Sequence, residues 1–359
     1  MKSSLIRAAP ATLCACLGWL TAVWPAITYL SAQVGSPQAV SETEAAARAA
    51  RATAADDGLD VVHVQGHVFM ISGDGGNVAV QVGPDGVVLV DSGAGARSAA
   101  IVAAIRQLAD EPIRFILNTS ADREHTGGNA AVAATGREFG GAAGRGGGDA
   151  VVGGVRTGAQ RIAHEGVLLA MARPGADGKA RIEEAAWPTE GFVDRKQMYL
   201  NGEGIEAIHV PASSSDASAI VFFRRSDVIA TGSLVDTEGF PRFDADAGGS
   251  INGTIAALNT LMLMAIPPTP LVYQRGGTQL VTGRGRVMEQ TDLVGYRDMV
   301  TIIRDRVREQ LTRGVALPQI LASQPAQGYA RRYGSTTGPW TTETFIRAVH
   351  ASLVTERRR

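Results

Sequence analysis

Short apolar runs separated by turn residues make up the part of the chain before residue 92. Four such runs, residues 61–62, 68–71, 78–82 and 87–90, are divided by Gln65-Gly66, by residues 73–76 and by Pro84-Asp85-Gly86. Runs of this length with glycine or aspartate turns between them are typical of neighbouring antiparallel strands. The pattern therefore predicts a β-meander over residues 61–91.

The pattern then changes to the spacing of one helix face. Residues 98–108 predict an amphipathic helix, residues 113–117 a buried strand and the alanine-rich residues 130–134 another helix. Further along the chain, strands are predicted at residues 205–210, 220–223 and 228–233 and from Gln279, and helices near residues 255–264, 292–311 and 344–353.

Composition limits the size and class of the protein. The chain has 359 residues, which is long enough for a full-sized core. Its formal net charge is −1, and 19% of its residues are charged. Aromatic residues make up only 5% and glycines number 43, so the core must depend on Val, Ile, Leu and Ala. The near-neutral charge lacks the basic footprint of a nucleic-acid-binding protein, so nucleic acid is not an expected partner.

Residues 1–32 differ from the rest of the chain. Lys2 and Arg7 accompany a long, almost uncharged apolar run, and the small residues at 30–32 offer a cleavage site before Gln33. This arrangement predicts a secretory signal peptide, and therefore an exported, periplasmic or secreted protein that is not membrane-bound after cleavage. The alternative is an uncleaved N-terminal anchor, because the run is long enough to span a bilayer.

Both cysteines of the chain, Cys14 and Cys16, lie in this N-terminal segment. A mature protein without it would have neither a disulfide nor a thiolate metal ligand. The alanine-rich residues 33–57 are predicted to be a spacer. No larger linker or internal repeat follows, so residues 58–359 are predicted to form one domain.

A polar turn between a predicted strand and a predicted helix carries the densest candidate chemistry. Asp122, Glu124 and His125 fall within four residues, before Gly127-Gly128-Asn129. A turn held by a strand and a helix is a common place for a site, and these side chains can bind a metal or transfer protons. The alternative is a helix N-terminus, where acidic residues complement the dipole and cap free N–H groups. Spacing alone favours this second interpretation.

Residues 119–125 also keep the frame of a known signature. They read Thr-Ser-Ala-Asp-Arg-Glu-His, followed by Gly-Gly-Asn, and resemble the loop Thr-His-x-His-x-Asp-His of the metallo-β-lactamase superfamily. Further stretches are similar to that superfamily in the same order, at residues 75–77, 90–93, 211–218, 228–233, 240–251 and 279–286. The resemblance covers about residues 60–353. It implies an α+β protein with the αββα four-layer sandwich fold.

In that superfamily seven side chains hold two metal ions, and the resemblance implies their positions here. The first metal would use positions 120, 122 and 213, the second would use positions 124, 125 and 284, and position 233 would bridge the two. The residues at these positions are Ser120, Asp122, Ser213, Glu124, His125, Arg284 and Ser233. Only His125 is unchanged, and Asp122 and Glu124 are the other candidate metal ligands.

These substitutions oppose metal binding. A catalytic zinc ion needs about three protein ligands and an open position, whereas a serine hydroxyl is a poor ligand. Arg284 would also place a fixed positive charge where a dication should lie. At ~4 Å and an effective dielectric near 20, that repulsion costs roughly 8 kcal/mol before the side chain moves away. We therefore expect no cofactor.

The leading hypothesis is an exported pseudoenzyme or binding module whose dinuclear metal site has been eroded. Its cleft would bind an unidentified small ligand, and Arg284 favours an anion because guanidinium groups suit carboxylates and phosphates. The alternative is a residual metal-dependent hydrolase of an ester, lactam or thioester. It would hold a single zinc ion through Asp122, Glu124, His125 and a nearby carboxylate such as Asp216.

The sequence gives weaker support to several other interpretations. A metal-free hydrolase would need a serine of residues 213–215 beside His125. The glycine-rich residues 139–154 lack the Gly-Lys-Ser/Thr ending of a phosphate-binding loop and predict a surface loop. His164 is predicted to be structural, and His209 is no obvious substitute ligand. A decayed gene product would have the same sequence features as a pseudoenzyme.

Overall fold

The structure is a computed structural model that describes residues 45–49, 58–73, 75–138, 158–174, 180–269 and 276–358. The predicted signal peptide and the glycine-rich residues 139–154 lie outside the described residues. The described residues belong to one compact unit.

The first half of the fold is a seven-stranded sheet with strand order β1-β2-β3-β4-β5-β6-β7. Strands β1 to β4 pair antiparallel, which confirms the predicted meander, and β4 to β7 pair parallel. The strands are β1 Asp60–Gln65, β2 Val68–Ser72, β3 Val78–Gln81, β4 Val87–Val90, β5 Ile113–Asn118, β6 Gln160–His164 and β7 Glu190–Phe192.

The second half is a six-stranded sheet with strand order β13-β12-β11-β10-β9-β8. Only β11 and β12 pair parallel, so the other neighbours form antiparallel ladders. The strands are β8 Arg195–Leu200, β9 Glu203–His209, β10 Ala219–Phe223, β11 Val228–Asp236, β12 Gln279–Arg284 and β13 Met288–Glu289. The strands predicted at residues 205–210, 220–223 and 228–233 are confirmed.

The five predicted helices are present with differences at their ends, whereas the short helices at residues 123–126, 317–322 and 327–333 were not predicted. The helices are α1 Ser98–Leu108, α2 Arg123–Thr126, α3 Asn129–Ala134, α4 Glu165–Ala172, α5 Ile251–Met264, α6 Gln290–Thr312, α7 Leu317–Ala322, α8 Gln327–Tyr333 and α9 Thr342–Arg358. Two 3-10 turns lie at Gly95–Arg97 and Glu184–Ala186. Helix α5 begins four residues before the predicted 255, because the Ser250 hydroxyl caps it by accepting the Gly253 N–H at 2.9 Å.

Three hydrophobic clusters separate four layers. One packs α1 and α3 against the first sheet, a second lies between the two sheets, and the third packs α5, α6 and α9 on the outer face of the second sheet. The strands supply alternate residues to opposite faces, so Phe69 joins the first cluster while its neighbours Val68 and Met70 join the second. The predicted α+β, αββα four-layer sandwich is confirmed.

The described residues of the predicted spacer pack against the rest of the fold. Residues 45–49, within the predicted spacer, are helical, and Ala45 and Ala49 are buried in the cluster against the first sheet. Among the described helices, none combines the length and the apolar character needed to cross a bilayer.

Candidate functional site

A cleft of about 1160 Å³ lies where the ends of several strands meet the loops that follow them. Its described lining includes five of the seven positions that the resemblance assigns, namely Asp122, Glu124, His125, Ser233 and Arg284. Asp122 follows β5, and Glu124 and His125 lie in α2, where a polar turn was predicted. Ser233 lies in β11, and Arg284 is the last residue of β12. The two sheets therefore both contribute side chains to the cleft.

The remaining two positions lie under the cleft surface. Ser120 is 2% exposed, and its hydroxyl accepts the Asp122 N–H at 3.2 Å. Ser213 is fully buried and donates to the Val210 carbonyl at 2.8 Å. Both hydroxyls thus bond to local backbone, and that of Ser120 also donates to Asp122 Oδ2 at 3.4 Å.

His125 is held by a carboxylate that the sequence analysis did not assign to the site. Asp91 follows β4 with a positive φ of 64°, which turns its side chain toward the end of β5. Its carboxylate accepts the Thr119 N–H at 2.8 Å and hydroxyl at 2.7 Å, and it contacts His125 Nδ1 at 2.7 Å. Burial disfavours the imidazolium, but the Asp91 carboxylate outweighs it and raises the pKa of His125.

Glu124 is bound by two guanidinium groups. Arg284 Nη2 lies 2.5 Å from Glu124 Oε2, and Arg242 Nη1 lies 3.3 Å from Oε1. Partial burial raises the pKa of Glu124, but the hydrogen bond and charge of Arg284, aided by Arg242, outweigh burial and lower it. Arg242 was missed from the sequence, although it lies within the matching stretch of residues 240–251.

Close backbone packing fixes the positions of these side chains. Asn77 donates its amide to the carbonyls of Thr282 and Gly285, both at 2.9 Å, and so joins the meander to the end of β12. Gly232 has a φ of +51°, and a Cβ there would lie 2.1 Å from Thr119 Oγ1. The two sheets approach so closely here that the side chains beside these residues have little freedom.

The serine-rich residues of the cleft bond to one another. The Ser214 hydroxyl lies 2.8 Å from that of Ser233 and 2.7 Å from that of Ser218, and Ser215 lies 3.1 Å from Ser218. None of these hydroxyls is hydrogen-bonded to His125 in the described part of the chain. The geometry gives no support to a Ser–His nucleophile.

The two histidines near the cleft have structural contacts. His164 Nδ1 accepts the Gly166 N–H at 3.1 Å and caps α4. Its ring stacks on His209 at 3.9 Å, and His209 Nε2 donates to the Asp216 carbonyl at 2.6 Å. These hydrogen bonds agree with the structural role predicted for His164.

The side chains at the candidate positions offer few ligands for a zinc ion. Among residues 45–49, 58–73, 75–138, 158–174, 180–269 and 276–358, no three His, Cys, Asp or Glu side chains are grouped to hold a metal ion. Arg284 already neutralises the charge of Glu124. By resemblance, Arg284 also stands at the position of the superfamily's last histidine ligand. The hypothesised single-metal site would need Asp122, Glu124, His125 and Asp216 to form such a group, and the described residues contain none.

The comparison with protein families agrees with this fold. The model of the metallo-beta-lactamase superfamily matches residues 71–274, which is more than half of the chain. This protein therefore belongs to the metallo-β-lactamase superfamily. No curated protein matches its sequence.

Several solved structures are similar to this chain at low sequence identity. A metallo-beta-lactamase from Pontibacter korlensis is 14% identical, with 68% of this chain and 99% of that chain covered and a TM-score of 0.49. The inverting sec-alkylsulfatase Pisa1 from Pseudomonas sp. is 15% identical, with 79% and 48% covered and a TM-score of 0.52. A double mutant of PisA1 is 16% identical, with 82% and 49% covered and a TM-score of 0.54. The chain spans about half the length of these two sulfatase structures.

Replacing Glu124 by Gln should weaken folding slightly and in a pH-dependent way. Because Glu124 is 41% exposed, its two ion pairs contribute at most about 1 kcal/mol. The pKa of Glu124 is lower in the folded state than in the unfolded chain. The stabilisation is therefore fully present above the unfolded-state pKa, and it is lost as the pH falls through the folded-state pKa. Urea unfolding of both proteins at several pH values measures it. If the difference in unfolding free energy between wild type and Glu124→Gln grew as the pH fell, the lowered pKa of Glu124 would be wrong.

Proposed function

We propose that this protein is a metal-independent binding module, a pseudoenzyme of the metallo-β-lactamase superfamily. The observation that carries the proposal is the ion pair between Arg284 and Glu124, at 2.5 Å. It joins two of the three positions at which the superfamily would hold its second metal. A guanidinium group there supplies the positive charge locally, so Glu124 needs no metal ion for neutralisation.

The hydroxyl groups support the same proposal. Ser120, Ser213 and Ser233 replace two histidines and a bridging carboxylate, and each one is hydrogen-bonded within the protein. Hydroxyls whose hydrogen bonds are made within the protein stabilise a fold without ligating a metal. Without a metal to lower the pKa of bound water to about 7, hydrolysis by the usual route of the superfamily has no nucleophile.

The ligand of the cleft is proposed to be a small anionic molecule. The cleft is large enough for a drug-sized molecule, since such sites measure roughly 300–1,000 Å³. Its lining contains five arginines and six carboxylates. Arg242 and Arg284 bind Glu124, so the arginines that remain available to an anion are Arg123, Arg173 and Arg181. Arginine binds carboxylates and phosphates through a planar fork of N–H donors.

Metal content tests the proposal directly. Protein purified without chelator and then dialysed against metal-free buffer should contain less than about 0.1 zinc per chain, because a site with fewer than three ligands does not retain the ion. Elemental analysis by mass spectrometry measures zinc, manganese and iron together. One or two equivalents of any of these metals per chain would overturn the proposal.

Export is proposed from the N-terminal sequence alone. Lys2 and Arg7, the apolar run and the small residues at 30–32 support a cleaved signal peptide. The intact mass of the exported protein should correspond to a chain that begins at Gln33. A mass that includes residues 1–32 would support the uncleaved anchor instead.

A further inference from the structure

Three arginines of the cleft lining lie close together, at the end of α4, in the segment before β7 and in α2. Arg173 follows α4, and its carbonyl accepts the Arg181 N–H at 3.1 Å, beside the antiparallel bridge between Pro174 and Ala180. Residues directly opposite in an antiparallel pair point to the same face, so these two side chains are neighbours. Arg123 joins this pair, because its Nη2 donates to the Arg181 carbonyl at 3.0 Å. We call Arg123, Arg173 and Arg181 the arginine wall.

Among the residues that the structure describes, no carboxylate neutralises the guanidinium groups of the arginine wall. All three residues are exposed and line the cleft, yet none of them forms a salt bridge with any carboxylate of the described residues. Arg242 and Arg284 differ, since both are bound to Glu124. Like charges placed opposite each other destabilise a strand pair. An anion between them would remove that repulsion.

An apolar surface adjoins the arginine wall. Helix α4 buries Val167 and Met171 in a small core, which leaves Leu169 on its opposite face, 71% exposed in the cleft. Ile182, next to Arg181, lines the same cleft and packs partly against that core. A single exposed leucine is ordinary, but here it stands one helical turn before Arg173 and inside a concave surface.

We propose that the arginine wall binds the phosphate or carboxylate head of an amphiphilic anion, whose apolar chain lies on Leu169 and Ile182. The inference rests on the proposed function, since it assigns a ligand class to the same cleft. It places the head on arginines that no described carboxylate pairs, and not on Arg284, whose charge is already bound by Glu124. The head can belong to a free amphiphile or to a lipid in a membrane.

Binding of octyl phosphate, measured by isothermal titration calorimetry, tests the proposal. We expect saturable binding to the full-length protein, and we expect Arg173→Gln/Arg181→Gln to weaken it about tenfold or more, because charge-assisted hydrogen bonds are lost. The matched control is Arg106→Gln/Arg331→Gln, which removes the same charge from exposed positions outside the cleft. Its affinity should stay within about twofold of wild type, since distant surface charges are screened.

Two further measurements separate the head from the chain and the free ligand from the membrane. Leu169→Ser should weaken octyl phosphate and leave inorganic phosphate unchanged. Sedimentation with phosphatidylcholine vesicles that contain phosphatidic acid reports a membrane-bound head, whereas binding of octyl phosphate alone reports a free amphiphile. Circular dichroism and thermal melting establish that each variant is folded.

The outcomes distinguish this inference from the proposed function. If octyl phosphate bound Arg173→Gln/Arg181→Gln as tightly as wild type but bound Arg242→Gln/Arg284→Gln more weakly, the inference would be wrong. The anion would then lie beside Arg242 and Arg284. No binding of octyl phosphate to the wild-type protein would also overturn the inference. In either case the metal content decides the proposed function separately.

Discussion

Asp91→Ala is expected to destabilise the protein by about 3–5 kcal/mol, the usual cost of removing one partner of a buried charged pair. Asp91 is 1% exposed and accepts three hydrogen bonds, two from Thr119 and one from His125. Alanine would leave these donors unpaired in the interior. It would also have to adopt a φ of +64°, which costs a residue with a Cβ roughly 1 kcal/mol more.

Urea unfolding measures this loss against two controls. Asp91→Asn keeps the size and tolerates positive φ, so it should lose less, about 1–3 kcal/mol from weaker hydrogen bonds to a neutral acceptor. Asp110→Ala removes an exposed carboxylate and should stay within about 0.5 kcal/mol of wild type. A loss below about 1 kcal/mol for Asp91→Ala would show that the carboxylate does not support the turn that carries Asp122, Glu124 and His125.

Most of the fold was predictable because local patterns determine it. The meander follows from apolar runs with glycine turns, and α1 follows from its helical spacing, so both agree with the predicted bounds within one or two residues. The start of α5 was not predicted, because Gly253 weakens the helical pattern. That glycine is required by the tertiary structure, since a Cβ would lie 1.8 Å from the Ala212 carbonyl oxygen.

The candidate site was predictable only in part. Its position came from the signature of residues 119–125, whose frame survives although its side chains do not. The partners of those residues were not visible, because Asp91 is 34 residues from His125 and Arg242 is 118 residues from Glu124. Pairings between such distant residues depend on how the two sheets meet. The arginine wall was not predicted either, because Arg123 contacts the Arg181 carbonyl across 58 residues of sequence.

Restoring ligands should create a zinc site where the wild-type protein has an ion pair. We expect Glu124→Asp/Ser233→Asp/Arg284→His to bind one zinc ion with a dissociation constant of about 1 μM or tighter, equivalent to roughly 8 kcal/mol. The variant removes the cation that opposes a dication and adds an imidazole and a second carboxylate beside His125. Asp91 holds His125 Nδ1 and so leaves Nε2 for the metal. Titration against a chromophoric chelator measures the affinity.

A matched variant separates the two physical effects of Arg284. Glu124→Asp/Ser233→Asp/Arg284→Met also removes the cation but supplies no imidazole. Its zinc affinity should be weaker by about 100-fold or more, because losing a direct ligand costs at least as much as losing an outer-shell partner. Zinc binding should strengthen as the pH rises, because the metal requires neutral His125 and Asp91 raises its pKa. Equal zinc affinity in wild type and the three-residue variant would mean that Arg284 moves aside for the ion, and the account of the cleft as a metal-free site would then be wrong.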